Sequence, residues 1–334
     1  MEHRNSTVVT STRSLADGGM RSNIGTVSHE FFHAWNVERI RPQSLEPFDF
    51  VEANMSGDLW FAEGFTSYYT NLILCRAGLM EPKNYVRGLS GTFNYVWNSP
   101  GRQFFNVIEM SYQAPFVDAA RSVDPVNRGN TFISYYSYGS ALGLALDLSL
   151  REKNLNIDDY MKLVWNTLGK DEKPYTIPDL QNALNVYAGK GFGDTFFNNY
   201  VHKSGMPDMK RLFETVGVSL AQDGTKPSFG ASVRQGKIFG YTSIGSSAYE
   251  AGLENGDAII QIGDYVLSDD LNFNTAMTKF KAGDVAKVVY ERLGNRKETT
   301  LTFKPDPSYS ISIDENASDQ QKAARETWLS KKSK

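Results

Sequence analysis

The five residues His29-Glu30-Phe31-Phe32-His33 have the types and spacing for metal-assisted hydrolysis. On a helix, positions i and i+4 lie one above the other with Cβ atoms ~5–6 Å apart, so His29 and His33 can share one ion. Glu30 then projects beside the ion, where its carboxylate can accept a proton from a coordinated water. Zinc lowers the pKa of such a water from near ~16 to roughly 7, which makes a nucleophile at neutral pH. The flanking residues argue against a solvated helix face. Gly25-Thr26-Val27-Ser28 precede the motif and Ala34-Trp35-Asn36 follow it, so the polar triplet sits in an uncharged, bulky surround. Burying two imidazoles and a carboxylate there costs several kcal/mol unless a cation pairs them.

A catalytic zinc takes three protein ligands and keeps a fourth position open. The aromatic stretch from Leu59 to Tyr69 contains Glu63, the only acid from residue 59 to 80, and Glu63 is therefore the expected third ligand. Its ordinary alternative is a helix-start carboxylate complementing the dipole. Glu46, Asp49, Glu52 and Asp58 are rivals in a looser stretch that holds Pro47 and Gly57. The single cysteine, Cys75, excludes a disulfide framework and any Cys-rich zinc module.

Positioning these groups requires at least two helices. Aromatic, helix-period patterning predicts the first over 24–37, after a short strand at 6–12 and an Asp-Gly-Gly break at 17–19. A second is expected over 59–77, closed by Gly78, with others at 82–95, 134–152, 157–168 and 177–187. The polar 219–228 stretch has the composition of a linker. Beyond it, the runs 287–292 and 299–303 flank a Gly294-Asn295 turn and read as strands of a second domain. The polar residues 306–334 are expected as a surface arm with a short helix at 320–329.

With 334 residues, 40% of them hydrophobic, the chain can fill two cores. A formal charge of −3 gives no basic field to recruit nucleic acid or an anionic membrane, and no apolar run reaches the ~18 residues of a membrane span. The first residues lack the layout of a signal peptide.

His29 to Val37, then Arg39-Ile40-Arg41-Pro42, then Leu59-Trp60-Phe61-Ala62-Glu63-Gly64-Phe65-Thr66-Ser67-Tyr68-Tyr69, resemble the M61 family of glycyl aminopeptidases. These are gluzincins with a thermolysin-like catalytic domain and a C-terminal PDZ domain. The resemblance covers roughly residues 1–305, and the long gap between His33 and Glu63 is typical of the family. It implies a multidomain α+β fold, with a mainly helical catalytic domain over 1–220, a small β-rich PDZ domain over 224–305 and a tail over 306–334. It also implies one zinc per chain, on His29, His33 and Glu63.

Tyr135-Tyr136-Ser137-Tyr138-Gly139 is similar to the family's Tyr-Tyr-x-Lys-Gly segment, with Tyr138 in the place of lysine. The resemblance makes Tyr136 the oxyanion donor and Tyr135 its reserve at the substrate. Met1 to Asn5 resembles the segment after a Gly-Gly in the strand that binds the substrate amine, so Glu2 is the implied amine anchor. The family's N-terminal β-domain would then be absent from this chain, and the periplasm is favoured over the cytoplasm if the native start lies upstream. Residues 245–264 resemble the GSPAxxAGLxxGDxIxxI signature of bacterial PDZ domains, which add a peptide strand to a sheet edge and seat its carboxylate on backbone amides. Phe229 and Gly230 are the implied carboxylate loop. The implied activity is removal of N-terminal glycine or alanine from peptides. Two alternatives stand beside it: a non-catalytic PDZ adaptor with a structural zinc domain, binding protein C-termini, and a zinc endopeptidase.

Overall fold

The computed structural model describes residues 2–119, 124, 126–267 and 272–330. The chain opens with a small antiparallel hairpin, β1 (Glu2–His3) and β2 (Ser6–Thr7), in place of one strand over 6–12. Helix α1 (Met20–His33) follows; it starts and stops about four residues earlier than expected. The expected second helix is two, α2 (Leu59–Ala62) and α3 (Gly64–Arg76), meeting at Glu63. Next come α4 (Pro82–Trp97), α5 (Val107–Tyr112), α6 (Arg128–Thr131) and α7 (Tyr135–Arg151). The helices α8 (Ile157–Thr167), α9 (Ile177–Ala188), α10 (Lys190–Phe196) and α11 (Met209–Thr215) complete this half. None of the described helices is long and apolar enough to cross a membrane.

Helix α7 is apolar on nearly every face, from Leu142 to Leu150, which makes it the central helix on which the others pack. Its approach to α3 depends on two glycines. A Cβ on Gly64 would lie 2.4 Å from the Gly139 Cα, and one on Gly139 would lie 1.9 Å from the Trp60 carbonyl oxygen. No side chain fits between these backbones. Because Gly64 follows Glu63 and Gly139 lies three residues after Tyr136, this contact sets the separation of two candidate site residues.

The chain continues through β3 (Val218–Gln222), β4 (Pro227–Ser228), β5 (Ala231–Arg234), β6 (Lys237–Thr242), α12 (Ser247–Glu250), β7 (Ala258–Ile262) and β8 (Tyr265–Val266). It closes with α13 (Phe273–Met277), β9 (Val285–Arg292), β10 (Asn295–Thr302), β11 (Lys304–Pro305), β12 (Tyr309–Ile313) and α14 (Asp319–Leu329). One sheet runs β10-β9-β7-β6-β5, with β8 off β7 and β5 at an edge. The β9–β10 turn is Leu293-Gly294, one residue earlier than expected, and both residues have positive φ, 51° and 77°. This unit has its own core of Phe229, Ile238, Leu253, Ile259, Val288 and Phe303. Inside it the buried Asp257 carboxylate accepts two 2.7 Å hydrogen bonds from Arg292.

Two expectations fail for the same physical reason. The stretch read as a linker begins with β3, and the stretch read as a surface arm contains β12, which pairs antiparallel with β3, Val218 opposite Ile313. Helix α14 then packs on the helical half. Trp328 is wholly buried there, and its indole N–H donates to the Tyr68 hydroxyl at 3.1 Å, which donates in turn to the buried Asp147 at 2.6 Å. Apolar side chains at alternate β12 positions and at the end of α14 gain more by burial than the polar remainder loses. Asn130 of α6 joins the two halves elsewhere, donating to the Thr242 carbonyl and accepting from the Ile244 N–H, both at 2.9 Å.

Gly139→Ala is expected to destabilise the chain by about 1–3 kcal/mol, the usual cost of overpacking. Thermal denaturation should show a lower Tm than for Gly143→Ala, whose added Cβ meets Tyr68 at 3.1 Å. Equal Tm values for wild type and Gly139→Ala would remove the claim that this contact is tight.

Candidate metal centre

Helix α1 presents His29 and His33 four residues apart on the face turned toward α3. The His29 Nε2 lies 3.1 Å from the His33 Nε2, and the Glu63 Oε2 lies 3.3 Å from the first and 3.2 Å from the second. Among the described residues, this is the one group of three His, Cys, Asp or Glu side chains close enough to share an ion. The rival acids have other partners. Asp58 is buried against Ser44 and Ser56, and Glu46 pairs with Arg41 at 2.6 Å. Asp49 accepts the backbone N–H of Val51 in its own loop.

The other ring nitrogens fix which way the lone pairs point. His33 Nδ1 lies 2.8 Å from the Asn36 carbonyl oxygen, which can only accept, so Nδ1 carries the proton. His29 Nδ1 lies 3.1 Å from the Thr70 hydroxyl, which already donates to the Thr66 carbonyl at 2.8 Å and therefore accepts from His29. Both neutral rings thus turn unprotonated Nε2 atoms toward each other and toward a carboxylate. Three acceptors at 3.1–3.3 Å with no donor among them repel unless a cation lies between them. Tetrahedral ligands at ~2.0–2.1 Å from zinc stand ~3.3 Å apart, so the residues present fit a divalent ion. Burial raises the pKa of Glu63, but hydrogen bonds and charge from His29 and His33 in their protonated forms outweigh this and hold it at about 2; with the rings neutral, a cation among the three groups takes over that role.

Thr70, Thr66 and Asn36 escaped the reading of the sequence. Asn36 is wholly buried and donates to the Phe61 carbonyl at 2.9 Å and the Ala62 carbonyl at 3.2 Å, tying the exit of α1 to the residues just before Glu63. Helical spacing held the clue: Thr70 is two turns after Glu63 on the same face, and Asn36 three residues after His33.

Glu30 is half-buried at a cleft of about 420 Å3 shared with Thr7, Phe31 and Arg39. The Thr7 hydroxyl donates to the Glu30 carboxylate at 3.5 Å. Arg39 holds the β1–β2 hairpin against α1, donating to the Asn5 side chain at 2.8 Å and to the Arg4 carbonyl at 3.0 Å. Arg4 pairs with Glu172. Glu2 belongs to β1 of this hairpin, and its side chain lies outside the described residues. Tyr136 is half-buried with its ring stacked on His29, centroids 6.2 Å apart at 24°. Tyr135, its expected reserve, is packed into the core beside Tyr136 and exposes little surface. In the second domain the Phe229 side chain is buried against Phe273, so this loop can offer a ligand backbone only. Gly230 has φ 81°, and a Cβ there would strike Ser246.

Thr70→Val keeps the shape of the side chain and removes the acceptor for His29 Nδ1. It is expected to weaken metal binding by about 10–100-fold, the usual effect of losing such a support, while Thr70→Ser retains binding. Competition with a chromogenic chelator reads both; equal affinities for Val and wild type would contradict the tautomer argument.

A family model described as M61 glycyl aminopeptidase matches residues 22–142, from α1 into α7. Among solved structures, the chain is similar in fold to an aminopeptidase N family protein from Idiomarina loihiensis. The TM-score is 0.82 at 24% identity, over 99% of this chain and 60% of that one. No curated protein sequence matches the chain. The matched stretch, which contains His29, Glu30, His33, Glu63 and Tyr136, is the part of this chain that is similar to the M61 peptidases.

Proposed function

We propose that the chain is a zinc-dependent aminopeptidase that removes small N-terminal residues, glycine or alanine, from peptides. The observation that carries this reading is the set of three facing acceptors, with Glu30 adjacent in sequence to the first and Tyr136 stacked over it. Two imidazoles and one carboxylate, with a position left open, are a donor set suited to catalytic zinc. When bound, zinc supplies a Lewis acid that polarises a peptide carbonyl and acidifies water.

The chain's own residues do the rest. Glu30, at the cleft between α1 and the hairpin, takes the proton of the water that attacks the carbonyl carbon and hands it to the departing amine. The Tyr136 phenol donates a hydrogen bond to the oxygen on which negative charge develops. Glu2, on the hairpin that borders the Glu30 cleft, receives the substrate's free ammonium, which favours cleavage from the amino end over endoproteolysis. The preference for glycine or alanine comes from the family resemblance.

A second role falls to the β-rich domain. Strand β5 is a sheet edge that follows directly on the Phe229-Gly230 loop, an arrangement suited to receiving a protein C-terminus as an added strand. A purely adaptor role has no use for Glu30 beside the triad.

Glu30→Gln is expected to keep the metal and lose hydrolysis of glycyl and alanyl reporter amides by about 100-fold or more, as for loss of a general base. A chelator should abolish wild-type turnover and zinc should restore it. Turnover that survives either treatment would overturn the mechanism.

A further inference from the structure

Next to the triad, between α3, α4 and α7, lies a cleft of about 390 Å3 whose lining includes both His29 and Tyr136. Small-ligand pockets begin at about 300 Å3, so a glycine or alanine side chain leaves most of this space unused. The apolar lining includes Leu89, Phe93 and Leu144, together with three thioethers, Met80, Met206 and Met209. Thioethers on flexible stems adapt to differently shaped apolar guests. The polar lining is neutral, made of amides such as Asn71 and Asn84 and of hydroxyls; no Asp, Glu, Lys or Arg lines the cleft among the described residues.

We infer that this cleft is a side-chain subsite for the residue on the leaving side of the scissile bond, since the residue on the amino side is small, and that it takes neutral side chains larger than alanine, of the methionine, leucine and phenylalanine class. The inference rests on the peptidase reading above. His29 belongs to both the triad and the cleft, and Tyr136 stacks on it from the cleft lining, so a peptide with its carbonyl at the triad has one neighbouring side chain within reach of the space. A charged side chain entering there is desolvated without a partner, so the cleft selects against it.

Gly88 supplies the test. It lies on α4 in the lining, and a Cβ built on it meets no atom within 4 Å. A larger residue there extends into open space, and a helical glycine replaced by leucine or alanine gains helix propensity. The full zinc-loaded chain is assayed for kcat/KM on two series of dipeptide amides, Xaa-Gly and Gly-Xaa, with Xaa as Gly, Met, Leu, Phe or Asp. The first series reports a subsite on the amino side of the scissile bond, and the second one on the leaving side.

In the Gly-Xaa series Met, Leu and Phe should exceed Gly by about tenfold or more, the discrimination that one or two buried methylenes give, and Asp should fall below Gly. Gly88→Leu should cut the Met-to-Gly ratio at least tenfold, and Gly88→Ala by less; if the leucine variant loses its thermal transition, the alanine variant decides. Calorimetric binding of the same amides to Glu30→Gln gives the ranking without turnover. A flat ranking in the Gly-Xaa series, a preference for these side chains in the Xaa-Gly series alone, or a ratio that Gly88 variants leave unchanged overturns the subsite. Glycylglycine amide turnover with a flat ranking refutes the subsite alone, whereas absent turnover with the ranking intact supports the subsite and refutes only the peptidase reading.

Discussion

Three ligand atoms face one another at 3.1–3.3 Å, and the two imidazoles among them are oriented by hydrogen bonds at their outer nitrogens. The Asn36 carbonyl and the Thr70 hydroxyl keep the protons of the two rings on the outside. Without a cation this arrangement is repulsive. The fold pays that electrostatic cost at one point, and such local conflict in an otherwise consistent structure marks a binding site more often than a packing accident.

The surrounding architecture serves this convergence. The Gly64–Gly139 contact lets α7 approach α3 closely enough to bring Tyr136 over His29, and Asn36 ties the exit of α1 to the residues before Glu63. Farther out, Asp147, Tyr68 and Trp328 form a buried chain of hydrogen bonds that fastens the end of the polypeptide to the helices carrying the site. The return of β12 to β3 means that the β-rich domain is inserted between two strands of the helical half rather than appended to it. Asn130 adds a second junction on α6, only a few residues ahead of Tyr136.

Much of the site was legible because its signals are local. The i, i+4 histidines and the acid between them follow from helical geometry, and Glu63 stood out as a lone carboxylate in an aromatic run. Tyr136 carried no signal of its own and entered only through the resemblance. What the sequence concealed depends on partners distant in the chain. β3 looked like a linker since its partner lies about ninety residues on. α14 looked like an exposed arm because only Trp328 and Leu329, at its very end, are buried. Beyond His33 the backbone bonds tighten to i−3, Ala34 to Phe31 and Trp35 to Phe32, and the Asn36 side chain binds carbonyls of another helix, which no periodicity records. The Tyr135 and Phe229 side chains are both buried, and aromatic residues beside a site are as often its support as its surface.

The central claim is that His29, His33 and Glu63 jointly bind one divalent ion. X-ray absorption at the zinc edge, on the purified chain after loading and removal of free metal, tests it most directly. The account requires one zinc per chain in a nitrogen and oxygen shell at ~2.0–2.1 Å, with scattering from two imidazoles that falls to one in His33→Ala. Substoichiometric zinc, or a shell without imidazole, would contradict it.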